Sequence, residues 1–202
     1  MNKPYNPKRQ AILEAAKRAF IDHGYSGASM EVIAEAAPVS KPTLYTHFKG
    51  KQELFAAVVA GQCEALLSTL SVVQTEFSDP VTGLKTIARA FVDLVYTDEA
   101  LQLYRLIIAE QQQFPVLGEL VYRSGPESVL QQLSTYLGEL KARGMLSVDN
   151  IETSSRLFFG MLKGDHHFRC LLGLQSGLSE AEKRQLIDAA VSLFLKGHGY
   201  EV

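Results

Sequence analysis

Two short helical patterns that meet at a tight break constrain this chain more than any other stretch: SMEVIAEAAPVSKPTLYTHFKGK, from Ser29 to Lys51. In Met30 to Ala36, Val32, Ile33 and Ala36 fall at the spacing of one helix face. Ser29 precedes them as an N-cap, since its hydroxyl can accept a bond from an orphan N–H of the first turn. The second pattern runs from Lys41 to Phe48. Ser40 is its N-cap, and Pro42 falls in the first turn, where a missing N–H costs little. Leu44 and Phe48 are four apart and should face inward. At about 100° per residue, Pro42 and Thr46 then point outward, flanked by Thr43, Tyr45 and His47. Lys41, Lys49 and Lys51 stand at the ends of that outer surface. A helix–turn–helix from Ser29 to Phe48 with such a face suits a DNA major groove. The competing reading is two helices packed together with no ligand at all.

The run AILEAAKRAF–GY–S–IAEAAPVSKPTLYTHFKGKQELF, within Gln10 to Val59, resembles the amino-terminal domain of TetR-type (tetracycline-repressor, AcrR-like) transcriptional regulators. The IA pair, the VS–TLY–HF run and the K–L that follows occur at the intervals of that family. RLIIAEQQQFP and RSGPE are similar to one carboxy-terminal branch of it. One position departs from the pattern, with Pro38 where the family usually has glycine. A proline ring fixes φ near −65° and pushes Ala37 towards extended geometry, so the turn should differ in detail.

Charge fits the same reading. The chain carries −2 overall. Residues 1–55 hold eight Lys and Arg against five Asp and Glu, a net of +3, so the remainder carries −5. Positive charge therefore lies where phosphates would be met. No run of 18 apolar residues suggests a membrane span, and MNKPYNPKRQ lacks an apolar signal core, which argues for the cytoplasm. Cys63 and Cys170 read as buried free thiols.

The rest of the chain is helical. Met1 to Tyr5 reads as a mobile arm, and Lys3, Lys8 and Arg9 either touch phosphates or stay solvated. Asn6–Pro7 starts a helix that carries Ile12, Leu13, Ala16, Ala19 and Phe20 and ends near Gly24. A long helix follows Gly50 to about Gln74, and Ser78–Asp79–Pro80 breaks the pattern. Leu84, Ile87, Ala88, Phe91, Val92 and Val95 mark an amphipathic helix, and Asp98 caps the next. Phe114–Pro115 and Gly125–Pro126 bracket a short helix, and another runs from about Glu127 to Arg143. Asp149 with Glu152 and Ser179 with Glu182 resemble capping boxes for the last two helices. The fold expected is all-α, with nine or ten helices. Residues 1–50 form the three-helix DNA-binding domain, and 51–202 an effector-binding and dimerisation domain.

The resemblance implies a homodimer built on the last two helices. Gly160 and Gly164 would allow close approach, and Phe158, Phe159, Met161, Phe168, Phe194 and Leu195 supply apolar surface for the interface or for the subunit's own core. It also implies a small-molecule effector pocket within Leu54 to Tyr136. Tyr104, Arg105, Gln111, Gln112, Phe114 and Tyr122 are its candidate lining. His166 and Cys170 share a helix face beside Asp165 and His167, but no matching pair exists elsewhere, so neither metal nor cofactor is expected. No phosphate loop, HExxH or GxSxG marks an enzyme.

The function expected is a ligand-responsive, dimeric DNA-binding regulator, most simply a repressor released from a palindromic operator by a small apolar or amphipathic effector. Pro42, Thr43 and Thr46 would meet base edges, with Lys41 on a base or a phosphate. Ser29, Tyr45, His47, Lys49 and Lys51 would hold the backbone, next to Ser40 at the helix start. The alternative is a helical ligand-binding or enzymatic protein that keeps the fold without operator binding.

Overall fold

A computed structural model describes residues 6–76 and 79–200. The expected arm Met1–Tyr5, with Lys3, and Ser78 of the expected break lie outside the described residues. Among the described residues the chain is all-α, without a strand. Its helices are α1 Pro7–Gly27, α2 Met30–Ala36, α3 Lys41–His47, α4 Lys51–Glu76 and α5 Pro80–Val95. There follow α6 Asp98–Glu110, α7 Val116–Ser124, α8 Pro126–Ala142, α9 Ile151–Leu171 and α10 Glu180–Gly197.

Capping chemistry sets most of the starts. Asn6 accepts from the backbone N–H groups of Lys8 and Arg9, both at 3.1 Å, with Pro7 first in the helix. Asp79 does the same for Val81 and Thr82 ahead of α5. Ser179 and Glu182 form the reciprocal capping box of α10. Two starts differ from expectation by one residue. The hydroxyl of Thr97, ahead of Asp98, accepts from Ala100 N–H at 3.2 Å, and Asn150 rather than Asp149 caps α9. Either neighbour has a suitable oxygen, and backbone geometry picks between them.

Packing divides the chain into two compact units. The first holds Met1–Gln62 and Gln102–Ser124, and the second Cys63–Leu101 and Gly125–Val202. By packing, the greater part of α6, all of α7 and the start of α4 join α1 to α3. In the first unit, Ile12, Phe20, Tyr25, Ile33, Leu44, Phe55, Leu103 and Leu117 lie in one apolar cluster. Tyr25 stacks on Phe20 and meets Phe55 and Phe114 edge-on, at centroid distances of 5.2 and 5.1 Å. A carboxylate oxygen of Glu110 accepts from Ser26 N–H at 3.3 Å.

The second unit is centred on Leu66, Leu84, Ile87, Leu133, Leu137, Phe158 and Phe194. Phe91 stacks on Phe159 at 4.3 Å, and Phe158 meets Phe194 edge-on at 5.0 Å. Along α5 and α10, Arg89, Asp93, Glu180 and Lys183 form one ion-pair network. α9 bends at Gly164 (φ 48°, ψ −150°), and the Tyr96 hydroxyl lies at 3.1 and 2.7 Å from the Leu162 and Lys163 carbonyls there. α4 has the length and mean hydropathy (1.6) of a membrane span. Its Leu54, Phe55 and Val58 are buried in the first unit's core and its Leu66, Leu70 and Val73 in the second's, so it is a core helix.

Candidate nucleic-acid interface

α2 and α3 are short helices and need tertiary anchors to persist. α2 buries Met30, Ile33 and Ala34, and its C-cap Ala37 is buried as well. This corrects the expected face, since Val32 is exposed and Ala36 faces solvent. Seven residues make fewer than two turns, and Ile33 serves either stripe. Ser29 accepts from Val32 N–H at 3.2 Å, so its oxygen holds the helix start.

The turn after α2 also corrects an expectation. Ala37 is not extended but lies at φ −87°, ψ 12°. Val39 N–H reaches back to the Ala34 carbonyl at 3.1 Å and Ala37 N–H to Ile33 at 2.9 Å. These closing bonds reverse the chain over Ala37 and Pro38 and override the preference of the residue before proline.

α3 is fixed from beneath by Leu44 (0% exposed) and Phe48 (2%). The Arg9 guanidinium sits 5.3 Å over the Phe48 ring. Ser40 accepts from Thr43 N–H at 3.3 Å, and the Ser40 and Thr43 hydroxyls share a bond of 2.8 Å. Above this base Lys41, Pro42, Tyr45 and Thr46 are exposed, Tyr45 by 44%, while Thr43 and His47 are half-buried. Lys41 pairs with Glu31 of α2. The hydrogen bond from Lys41 holds the Glu31 carboxyl below its usual range, and the same bond raises Lys41. Lys49 is exposed, and its backbone N–H donates to Glu53 at 2.7 Å.

Lys51 is placed differently from expectation. Its ammonium donates to the Tyr25 carbonyl at 2.7 Å and the Ser26 carbonyl at 3.3 Å, and lies 4.6 Å over the Tyr25 ring. Burial lowers its pKa. Two of its three donors thus close the end of α1.

This geometry coincides with known families at both ends of the chain. Residues 12–58 match the bacterial regulatory proteins of the tetR family, and residues 82–199 match the C-terminal domain of AefR-like transcriptional repressors. The chain belongs to the TetR family. Like that family, it is a DNA-binding transcription regulator with a helix–turn–helix and an all-helical fold. A crystal structure from Mesorhizobium loti MAFF303099, assigned as a TetR-family transcriptional regulator, is 32% identical with a TM-score of 0.80, over 95% of this chain and 96% of that one. The flavonoid-responsive regulator FrrA is 33% identical with a TM-score of 0.73, over 94% and 96%. The transcriptional activator FasR of Mycolicibacterium smegmatis is 38% identical over 52% of this chain, a match spanning only 47% of FasR.

The other candidate residues of this TetR-family regulator are distributed as follows. Gln111 and Gln112 are exposed in the turn after α6, and Tyr122 is 43% exposed on α7. Phe114 packs on Tyr25, Arg105 is exposed and Tyr104 half-buried, so the six do not form one enclosed lining. Spacing along the chain could not show that this segment packs with α1 to α3. Two groups on α8 were missed. Gln132 Oε1 and the Tyr136 hydroxyl are buried with no hydrogen-bond partner among the described residues, and burial pushes the Tyr136 hydroxyl up to about 12. Tyr136 stands on the buried stripe of Leu133, Leu137 and Leu140, which was the available signal.

The proposed dimer residues divide. Phe158, Phe159, Phe194 and Leu195 are 0–6% exposed in the subunit's own core, which corrects their assignment to an interface. Phe168 is 59% exposed, Met161 is half-buried, and Gly160 and Gly164 are exposed. Among the described residues, no atom beyond the chain neighbours and the helix's own backbone lies within 4 Å of a Cβ built at either glycine. Leu157, Leu172, Leu174 and Leu193, missed from sequence, are each at least 58% exposed. His167 lies edge-on to Tyr96 at 5.6 Å, and burial lowers its pKa to about 4. Among the described residues no three of His, Cys, Asp and Glu gather as metal ligands.

Proposed function

We propose that this protein is a dimeric, ligand-responsive repressor that binds a palindromic operator through α3. The carrying observation is the exposed face of α3 standing on buried Leu44 and Phe48. Pro42, Thr43 and Thr46 meet base edges. Tyr45, His47 and Lys49 hold the phosphates from the same helix and its C-terminal side, with Ser29 and Ser40 as capping groups beside them. Lys41 exchanges Glu31 for a phosphate or a base, at small cost because the pair is fully exposed.

The dimer forms through the outward stripe of α9, Leu157, Met161, Phe168 and Leu172, together with Leu193 of α10. An apolar stripe this large marks an interaction surface. Two α3 helices related by a dyad then read two half-sites. The effector is a small organic molecule, a reading supported by the flavonoid response named for FrrA. It is bound in the carboxy-terminal region with Gln132 on α8 as a polar anchor. Binding favours a conformer with the wrong spacing of the two α3 helices, which requires the effector to prefer that conformer. The protein works in the cytoplasm and carries out no catalysis.

Selection from random duplex DNA, followed by gel shift at two salt concentrations, tests the reading. An enriched inverted repeat and a complex that weakens steeply with salt are expected. Recovery of no preferred sequence contradicts it.

A further inference from the structure

The hydrogen bonds within α3 decide what its exposed face can read. The Thr46 hydroxyl donates to the carbonyl of Pro42, one turn earlier, at 2.9 Å. That bond spends the hydroxyl proton on the backbone. Thr46 is exposed, as are Pro42 and Tyr45, its neighbours one turn back and one residue back. Pro42, Thr46 and Tyr45 therefore bring a pyrrolidine ring, a methyl-bearing side chain and a phenol ring to the exposed face, beside Lys41. Beside it the Ser40 and Thr43 hydroxyls bond each other and Lys41 pairs with Glu31.

We propose that Thr46 is a specificity-determining residue that reads a thymine by its 5-methyl group, through apolar contact and not through its hydroxyl. The proposal rests on the DNA-reading role assigned to α3 above. Thymine is the base that shows a methyl in the major groove, so an apolar surface there selects it over cytosine and the purines. Pro42 widens the contact, and Tyr45 closes its side. With its proton on the Pro42 carbonyl, the Thr46 hydroxyl has none left to donate to a base acceptor.

Two substitutions separate methyl from hydroxyl. Thr46→Val keeps a methyl in place and removes the hydroxyl; Thr46→Ser does the reverse. Thr46 is on the surface, and circular dichroism checks folding. On the duplex recovered by selection, each thymine of the half-site is replaced in turn by deoxyuridine, which removes the methyl alone. At one thymine per half-site, deoxyuridine should weaken wild-type binding about fourfold, the worth of one buried methyl. Thr46→Ser, which removes the methyl from both subunits, should weaken binding to the thymine duplex about sixteenfold and be nearly indifferent to the deoxyuridine change. Thr46→Val, a surface substitution that keeps the methyl, should bind within about twofold of wild type. The proposal is overturned if Thr46→Val loses as much as Thr46→Ser, or if no deoxyuridine position weakens wild-type binding. Those results leave a sequence-specific complex standing and remove only the methyl contact. Failure to select any duplex removes the DNA-reading role itself, and the methyl contact with it.

Discussion

Lys51→Met keeps the aliphatic stem and removes the ammonium. In the folded protein that ammonium donates to two carbonyls at the end of α1, at 2.7 and 3.3 Å, and covers the Tyr25 ring. A hydrogen bond to a charged group contributes about 1.5–3 kcal/mol, and the Ser26 contact is long and exposed, so the pair together is worth about 2 kcal/mol. The ring contact adds about 0.5 kcal/mol. Thermal melting at fixed protein concentration should therefore fall by roughly 5–10 °C for a chain of this size. Binding to DNA, measured below that melt, should keep its salt dependence, because the donors are committed inside the protein. A phosphate contact would instead lower the slope of log K against log salt by about 1 for each subunit. Lys49→Met is the comparison, with an exposed side chain, and should lower the slope without lowering the melt. A Lys51→Met protein that melts like wild type and shows the reduced slope would refute this account of Lys51.

Gly83→Ala should destabilise despite the better helix propensity of alanine, because its Cβ would stand 2.1 Å from the Tyr136 hydroxyl. The loss is about 2 kcal/mol in urea unfolding, and adding Tyr136→Phe should recover part of it, since the ring carbon at 3.0 Å and Val73 at 3.1 Å still crowd the new methyl. A stabilised Gly83→Ala would contradict the packing. His167 is 6% exposed and its pKa is lowered to about 4 by burial and by Lys163. A base depressed by folding leaves stability intact above the unfolded pKa, near 6.5, and costs stability as pH falls from there towards 4. About 3 kcal/mol is at stake in that window, and His167→Gln should flatten the decline measured by urea unfolding from pH 7 to 4. An unchanged slope would show that His167 does not titrate between those limits.

What the sequence made legible was local. The Asn6, Ser40 and Ser179 caps follow from a few adjacent residues, and the inward Leu44 and Phe48 from one helical turn. The carbonyl that receives Lys51 lies 26 residues earlier, and periodicity carries no information about such a partner. The same limit hid the packing of Phe114 on Tyr25. For α9 and α10, composition showed that apolar surface was abundant. It did not show that Phe158 and Phe194 turn inward while Leu157 and Leu193, one residue away, turn outward. In a helix with apolar residues on more than one face, a shift of 100° exchanges core for surface.

Methylation protection of guanine N7 on the selected duplex tests the central claim most directly, because that atom lies in the major groove. Protections in two symmetric half-sites are predicted, and they should disappear in a Tyr45→Ala, Thr46→Ala protein that keeps its helical content. Protection without symmetry, or a pattern untouched by those two substitutions, would show that α3 is not the element that reads DNA.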